Sequence, residues 1–276
     1  MARKMKQPYK LLVVDIDGTL MNSRGIISAE DKEALTRVRR MGLTVAVSTG
    51  RAMQATKWVL EQLGIDGFHM FYDGSLVSNP WTGQVIYAEN IAREVVLSAI
   101  AFARSNGLHI DVYSPAHYFA EKEDWATEVR RKFFKMEPVL GDLLDISRKE
   151  RIIKATVIVR TDPERAKAMD FEKQFRDKLS FSWTTTPAYP ELDFINLVSP
   201  RVSKGKALEE LANYLKIPLS QVVAIGDGIN DVSMLKIAGL AVAMGNCVEE
   251  LKSVAHAVTH DVDHSGVAEA IKKYIG

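Results

Sequence analysis

Apolar positions along this chain come in two rhythms. Short, nearly continuous runs fall at Lys10–Ile16, Leu43–Val47, Phe68–Phe71, Val222–Ile225 and Leu240–Met244. Runs of that length without polar alternation are what strands buried on both faces look like. Between them the spacing turns helical. Ser28 stands as an N-cap with Asp31 three residues on, Leu35, Val38 and Met41 form an inward stripe, and Gly42 is placed to end the helix. The same reasoning predicts helices over Met53–Leu63, Lys204–Leu215, Asp231–Ile237 and Val267–Ile275. Strand and helix alternate, which implies a parallel sheet with right-handed crossovers.

The middle of the chain does not continue that alternation. It predicts helices Ala92–Ser105, Trp125–Phe134 and Pro163–Leu179, and strands Ile110–Tyr113, Ile153–Val159, Phe181–Thr185 and Leu192–Leu197. Such a set makes a second, open sheet covered by helices on one face. The expected fold is therefore α/β: a Rossmann-like, doubly wound parallel-sheet core from residues 1–81 and 201–276, with an inserted α/β cap domain over 82–200. Trp81-Thr82-Gly83 and Val198-Ser199-Pro200 read as the two connections.

Length and composition agree with this division. A chain of 276 residues exceeds the usual single-domain size. A net charge of +1 gives no electrostatic footprint for nucleic acid or an anionic membrane. No apolar run reaches the ~18 residues of a membrane span. The basic stretch from Met1 to Lys10 lacks the apolar segment of a signal peptide. A single cysteine, Cys247, cannot form an internal disulfide, which fits a reducing cytoplasm and a small half-buried filler role. A monomer or weak homodimer is expected.

The chemistry concentrates where strands end. Asp15-Ile16-Asp17-Gly18-Thr19-Leu20 sets two carboxylates at the end of the first apolar run, the edge at which open α/β sheets bind ligands. Two acids so close repel when both are charged in a dry pocket, and a hard divalent cation relieves the conflict. One carboxylate is then able to attack an electrophile while the other moves protons. Ser48-Thr49-Gly50-Arg51 follows the second strand, Lys204 opens a helix, and Gly226-Asp227-Gly228-Ile229-Asn230-Asp231 follows the strand at Val222–Ile225.

These four segments, in this order, resemble the haloacid dehalogenase superfamily of phosphohydrolases, and more narrowly its Cof-like branch with a large α/β cap. The resemblance implies a magnesium-dependent phosphatase acting on a small phosphorylated metabolite. Asp15 would be the nucleophile that forms an aspartyl-phosphate, and Asp17 the general acid and then base. The metal would be held by Asp15, the Asp17 carbonyl and Asp227, with Asp231 orienting a metal-bound water. Ile16, Thr49, Gly50, Lys204 and Asn230 would bind the substrate phosphate.

Several alternatives stand beside these roles. Thr49 could cap the following helix and leave Ser48 as the contacting hydroxyl. Lys204 could be a solvated lysine, Asn230 an N-cap, and Arg51 a salt-bridge partner. Arg130-Arg131-Lys132 reads as a solvated helix face, His117 and Tyr118 as ordinary residues of the insert with substrate contact as the alternative, and Asp261 and Asp263 as a polar loop with a weak cation site as the alternative. Cof-like relatives commonly carry Asn-Gly-Ala where this chain has Asp73-Gly74-Ser75, so no substrate contact is carried over to that position. A sugar phosphomutase and a non-catalytic phosphate-metabolite binding protein are the competing functions.

Overall fold

The computed structural model describes residues 9–186 and 188–276. Residues 1–8 of the basic stretch from Met1 to Lys10, read against a signal peptide, lie outside them. The chain opens with strand β1 (Leu11–Asp15), helix α1 (Ala29–Arg40), β2 (Thr44–Ser48), α2 (Met53–Leu63), β3 (His69–Phe71), β4 (Leu76–Ser78) and β5 (Val85–Ala88). It continues with α3 (Arg93–Asn106), β6 (His109–Tyr113), β7 (Tyr118–Ala120), α4 (Trp125–Phe134), β8 (Val139–Leu140), α5 (Leu143–Lys149), β9 (Lys154–Val159), α6 (Asp162–Phe175), β10 (Ser180–Thr186) and β11 (Tyr189–Val198). It ends with α7 (Lys204–Leu215), β12 (Val222–Gly226), α8 (Val232–Leu235), β13 (Leu240–Ala243), α9 (Glu249–Lys252), β14 (Ala257–Val258) and α10 (Gly266–Tyr274). Two compact units result. One joins the chain up to Tyr87 with Ser203–Gly276, and the other is Ala88–Val202. The short strand β5 extends the first unit's sheet beyond residue 82, where the insert was expected to begin.

In the first unit the described strands order as β14-β13-β12-β1-β2-β3-β4-β5. Neighbours from β14 to β3 are parallel, and β4 turns back antiparallel to β3. Strand order reverses at β1, with β2 on one side and β12 on the other, which opens a crevice at the strands' carboxyl ends. All five residues of β1 are buried. Leu11 and Val13 pack with Ala207, Leu208 and Leu211 of α7, while α1 packs with α10 and α2. Ser28 caps α1 as expected, its hydroxyl accepting from the Asp31 amide at 3.0 Å. Leu35 and Val38 are buried, but Met41 is not part of the stripe: it is the C-cap, 44% exposed, because the helix stops before another turn can bring it inward. The helix expected over Asp231–Ile237 is a 3₁₀ turn at Ile229–Asp231 followed by the four-residue α8.

In the second unit the described strands order as β10-β11-β9-β6-β7-β8, with β7–β8 parallel and the other neighbouring pairs antiparallel. Alternation divides its faces. Ile110, Val112, Ala155, Val157, Ile195 and Leu197 pack with residues of α3 and α6. Helices on one face only were expected, but α4 lies on the other, where Ala126 and Val129 meet Ile158 and Phe194. That helix overturns a second expectation. Arg130 is not solvated: it is 5% exposed, its Nε donates to the fully buried Asp111 at 3.3 Å, and its guanidinium lies 5.1–5.7 Å from the rings of Tyr113, Phe134 and Phe194. A basic run reads as solvent-facing unless its partner is known, and Asp111 sits on a different element. Asp111 also contacts His109 at 2.8 Å, whose other ring nitrogen is 3.1 Å from Asp124. No described helix is long and apolar enough to cross a membrane.

Candidate active site

Four loops gather at the carboxyl ends of β1, β2, β3 and β12, beside the first turn of α7. Asp15 is the last residue of β1 and is buried. The chain then folds tightly, with the Ile16 carbonyl accepting from the Leu20 amide at 3.0 Å and the Met21 amide at 2.7 Å. Gly18 is required here for two reasons. Its φ is +85°, and a Cβ would collide with the Asp227 carboxylate. Thr19, fully buried, donates its hydroxyl to Asp227 Oδ1 at 2.6 Å. That tie between two strand-end loops was invisible in sequence because 208 residues separate its ends.

Lys204 is the hub. Ser203 caps α7 through the Lys206 amide, and the first residue of the helix projects a fully buried ammonium. Its Nζ donates to Asp15 Oδ1 and to Asp231 Oδ1, both at 2.6 Å. The reading of Lys204 as a solvated lysine is thereby excluded. Asp231 is also fully buried, and its other oxygen accepts from the Asp227 and Gly228 amides at 3.0 Å each. Asp231 therefore fastens the loop after β12 to the lysine.

Burial and mutual repulsion dominate the electrostatics. Burial holds the Asp15 carboxyl well above the ordinary carboxylate range against the pull of Lys204, with Asp231 and Asp227 adding to the rise. Asp227 is pushed up to about 6, first by burial and then by Asp231, with its bond from Thr19 working the other way. Burial disfavours the Lys204 ammonium, but Asp15, Asp231 and Asp73 outweigh it and hold its pKa above the usual lysine value. One lysine among these acids leaves a surplus of negative charge. Asp15, Asp227 and Asp231 each offer a carboxylate oxygen within 4.8 Å of the others. An all-oxygen set that resists carrying its own charge fits a hard dication such as magnesium.

Asp17 behaves differently from Asp15. Its side chain is 57% exposed and accepts a two-pronged contact from Arg51, Nε to Oδ2 at 2.8 Å and Nη2 to Oδ1 at 2.6 Å. The salt-bridge reading of Arg51 is the observed one. Thr49 is fully buried. Its hydroxyl accepts from the Arg51 amide at 3.1 Å, and it does not cap α2, whose N-cap is Ala52 without a side-chain bond. Ser48 is buried, and its hydroxyl has no hydrogen-bond partner among the described residues. Asn230 is not an N-cap either: Gly228 and Asp231 occupy those positions, and the Asn230 amide donates to Asp73 Oδ1 at 2.8 Å. Asp73 thus joins the cluster unannounced.

Residues outside the cluster find ordinary employment. Asp261 accepts from His264 at 2.6 Å, and Asp263 accepts from Asn22 at 2.8 Å. Burial raises the Cys247 thiol, which makes it a poor nucleophile. In the second unit His117 is exposed, and Tyr118 is buried and stacks on Tyr113.

The chain is similar to known proteins over nearly all of its length. The sequence profile described as haloacid dehalogenase-like hydrolase matches residues 12–271. Phosphatase YwpJ of Bacillus subtilis (strain 168) is 31% identical over 282 residues, covering 95% of this chain and 99% of the relative. The 5-amino-6-(5-phospho-D-ribitylamino)uracil phosphatase YwtE of the same organism is 27% identical over 289 residues, covering 96% and 98%. A crystal structure of a haloacid dehalogenase-like hydrolase from Bacteroides thetaiotaomicron superposes with a TM-score of 0.81 at 29% identity, covering 96% and 99%.

Proposed function

This chain belongs to the haloacid dehalogenase-like hydrolases, and from that premise we propose that it is a magnesium-dependent phosphomonoesterase for a small phosphorylated metabolite, a sugar or cofactor phosphate. The observation that carries the reading is the buried ammonium of Lys204 held between Asp15 and Asp231, beside Asp227. A structural ion pair has no need of a surplus acid, whereas a phosphoryl-transfer site needs its charges fixed before the substrate arrives.

In this reading Asp15 attacks phosphorus, the bond to the ester oxygen breaks, and Asp17 gives its proton to the departing alkoxide. Asp17 then takes a proton from water, whose oxygen attacks the aspartyl-phosphate and releases inorganic phosphate and the Asp15 carboxylate. For its first step Asp17 has to leave Arg51. The Asp17 side chain is 57% exposed, so water can take the place of Arg51 on its carboxylate. Magnesium would be held by Asp15, Asp227 and the Asp17 carbonyl, with Asp231 positioning the loop that carries Asp227; the three carboxylate oxygens of Asp15, Asp227 and Asp231 within 4.8 Å of one another support this reading. When bound, the ion would offset the negative charge of the acids and of the phosphoryl oxygens. Thr49, the Gly50 amide, Asn230 and Lys204 are the phosphate donors. The side chain of Ile16 is buried and its carbonyl is spent in the turn, so its contribution has to come from its amide.

The relative that acts on a phosphoribitylamino compound supports a polyol phosphate as the substrate class. We assign substrate choice to the inserted unit Ala88–Val202 and a cytoplasmic site of action to the protein as a whole. The test is phosphate release over a panel of metabolite phosphates with magnesium, with Asp15→Asn as the blank. Turnover that survives exhaustive chelation, or that persists in the blank, would overturn the reading. Asp17→Asn should lose roughly 10²–10⁴-fold in rate, the usual worth of a general acid–base group, while retaining its metal.

A further inference from the structure

Residues Tyr72, Asp73 and Gly74 take φ of 53°, 57° and 101° in succession. The first two are not glycines, and the left-handed region is costly for such residues. Strain of this kind persists only where the surroundings impose it. Here the Tyr72 amide donates to the Arg51 carbonyl and the Asp73 amide to the Thr49 carbonyl, both at 3.1 Å. The Tyr72 hydroxyl reaches Gln54 at 3.0 Å. Gly74 lies so close to the Ser203 carbonyl that a Cβ has no room there.

The product of these restraints is the position of one carboxylate. A Cβ placed on Gly50 would sit 2.9 Å from Asp73 Oδ1 and 3.1 Å from Oδ2, so the carboxylate lies over the Gly50 backbone. Asp73 Oδ1 accepts from the Asn230 amide at 2.8 Å, and its charge reaches Lys204. Gly50, Asn230 and Lys204 are three of the groups assigned to bind phosphate. An anion bound there has only the second hydrogen of the Asn230 amide to draw on and has to tolerate a like charge beside it.

We propose that Asp73 weakens the site's hold on phosphate and so promotes release of the inorganic phosphate product. The inference rests on the phosphatase reading. It makes Asp73 a positioning residue that acts through Asn230 and through its charge. Asp73→Asn separates the charge from the geometry. The amide oxygen still accepts from Asn230, and asparagine tolerates a positive φ nearly as well as aspartate.

The experiment is calorimetric titration of inorganic phosphate into the magnesium-loaded full chain and its Asp73→Asn variant, with melting curves to register any loss of fold. The expected result is a dissociation constant lower by roughly 10- to 100-fold in the variant, the scale of removing one like charge from a partly buried site. Steady-state assays should show stronger product inhibition and a lower KM in the variant. A purely structural role would move the melting temperature and leave the phosphate affinity alone. An unchanged or weaker affinity in the folded variant overturns the proposal, as does a failure of both proteins to bind phosphate. Tighter phosphate binding in a protein that hydrolyses no ester would support the role of Asp73 and sink the phosphatase reading by itself.

Discussion

Each of the two units holds a histidine largely out of water, one of them neutral and the other positively charged at neutral pH. His69, fully buried in β3 of the first unit, accepts from the Val47 amide at 3.2 Å, and burial drives its pKa down to about 3. His109, in β6 of the second unit, lies between Asp111 and Asp124. These carboxylates outweigh the cost of burial and raise its pKa to about 9. The first unit leaves His69 neutral and gathers Asp15, Lys204 and Asp231 at the strand ends. The second carries a charged chain, His109–Asp111–Arg130, within its own packing. A charge at a strand end can serve chemistry, whereas a charge inside a layer mainly constrains which packing is allowed. Buried ion pairs add little net stability but are costly to break.

The largest expected effect separates activity from stability. Asp15→Asn should reduce turnover by roughly 10⁴-fold or more, since it removes the nucleophile of the proposed reaction. It should not lower the melting temperature, because the acid is strained by burial and by neighbouring carboxylates. A variant that melts early would mean that Asp15 is as structural as Asp111. Asp111→Asn is the counterpart in the second unit. It leaves Arg130 and His109 short of a buried partner and should cost about 3–5 kcal/mol in denaturant unfolding. A loss below about 1 kcal/mol would show that water already screens the cluster.

The histidines give the comparison a pH axis. His109 binds its proton more tightly folded than unfolded. Its contribution is therefore complete below about 6.5, and stability falls as pH rises from 6.5 towards 9 by about 1.4 kcal/mol per unit. His69 has the reverse sign. The unfolded chain binds its proton first, so stability falls as pH drops below about 6.5 at the same slope of about 1.4 kcal/mol per unit. Amide exchange followed across pH should find the alkaline loss in the second unit and the acid loss in the first. His109→Gln and His69→Gln should each flatten one limb, and a single variant that flattens both would refute the assignment. The smallest effect concerns helix ends, where the two units should agree. Ser28→Ala in the cap of α1 and Thr161→Ala in the capping box of α6 should each cost about 1 kcal/mol by chemical denaturation.

What could be read from the chain follows from how local each signal is. Strands buried on both faces announce themselves as apolar runs, so β1, β2, β12 and β13 were legible to within a residue or two. Strands β7, β8 and β14 have only two or three residues and show no period at that length. Helix α1 was legible up to its last turn, where the stripe was carried one residue too far to Met41. The acids at the strand ends were legible because a motif keeps them close in sequence. Thr19 and Asp73 were not, because each gains its meaning from a partner on another loop, Asp227 for one and Asn230 for the other. Arg130 failed for the same reason: its partner Asp111 is on a separate strand. Local pattern encodes elements, and contacts between distant elements encode the rest.

The first unit is built from two stretches of chain with the second unit between them, and this ordering has a consequence for synthesis. As the chain leaves the ribosome, β1 and β2 emerge early, but β12, which flanks β1 on its other side, comes only after Val202. By then every strand of the second sheet has been made. Its ends are already tied, with Glu89 accepting from Ser199 at 3.2 Å and from Arg201 at 3.0 Å. The inserted unit is therefore able to fold while the earlier strands still wait for their neighbour. At roughly 5–20 residues per second, the stretch from Val202 to Gly226 takes roughly 1–5 s to appear. Throughout that interval the nascent chain exposes an apolar β1 edge, which makes the first unit, the one that bears the reactive acids, the part of the molecule most in need of a chaperone.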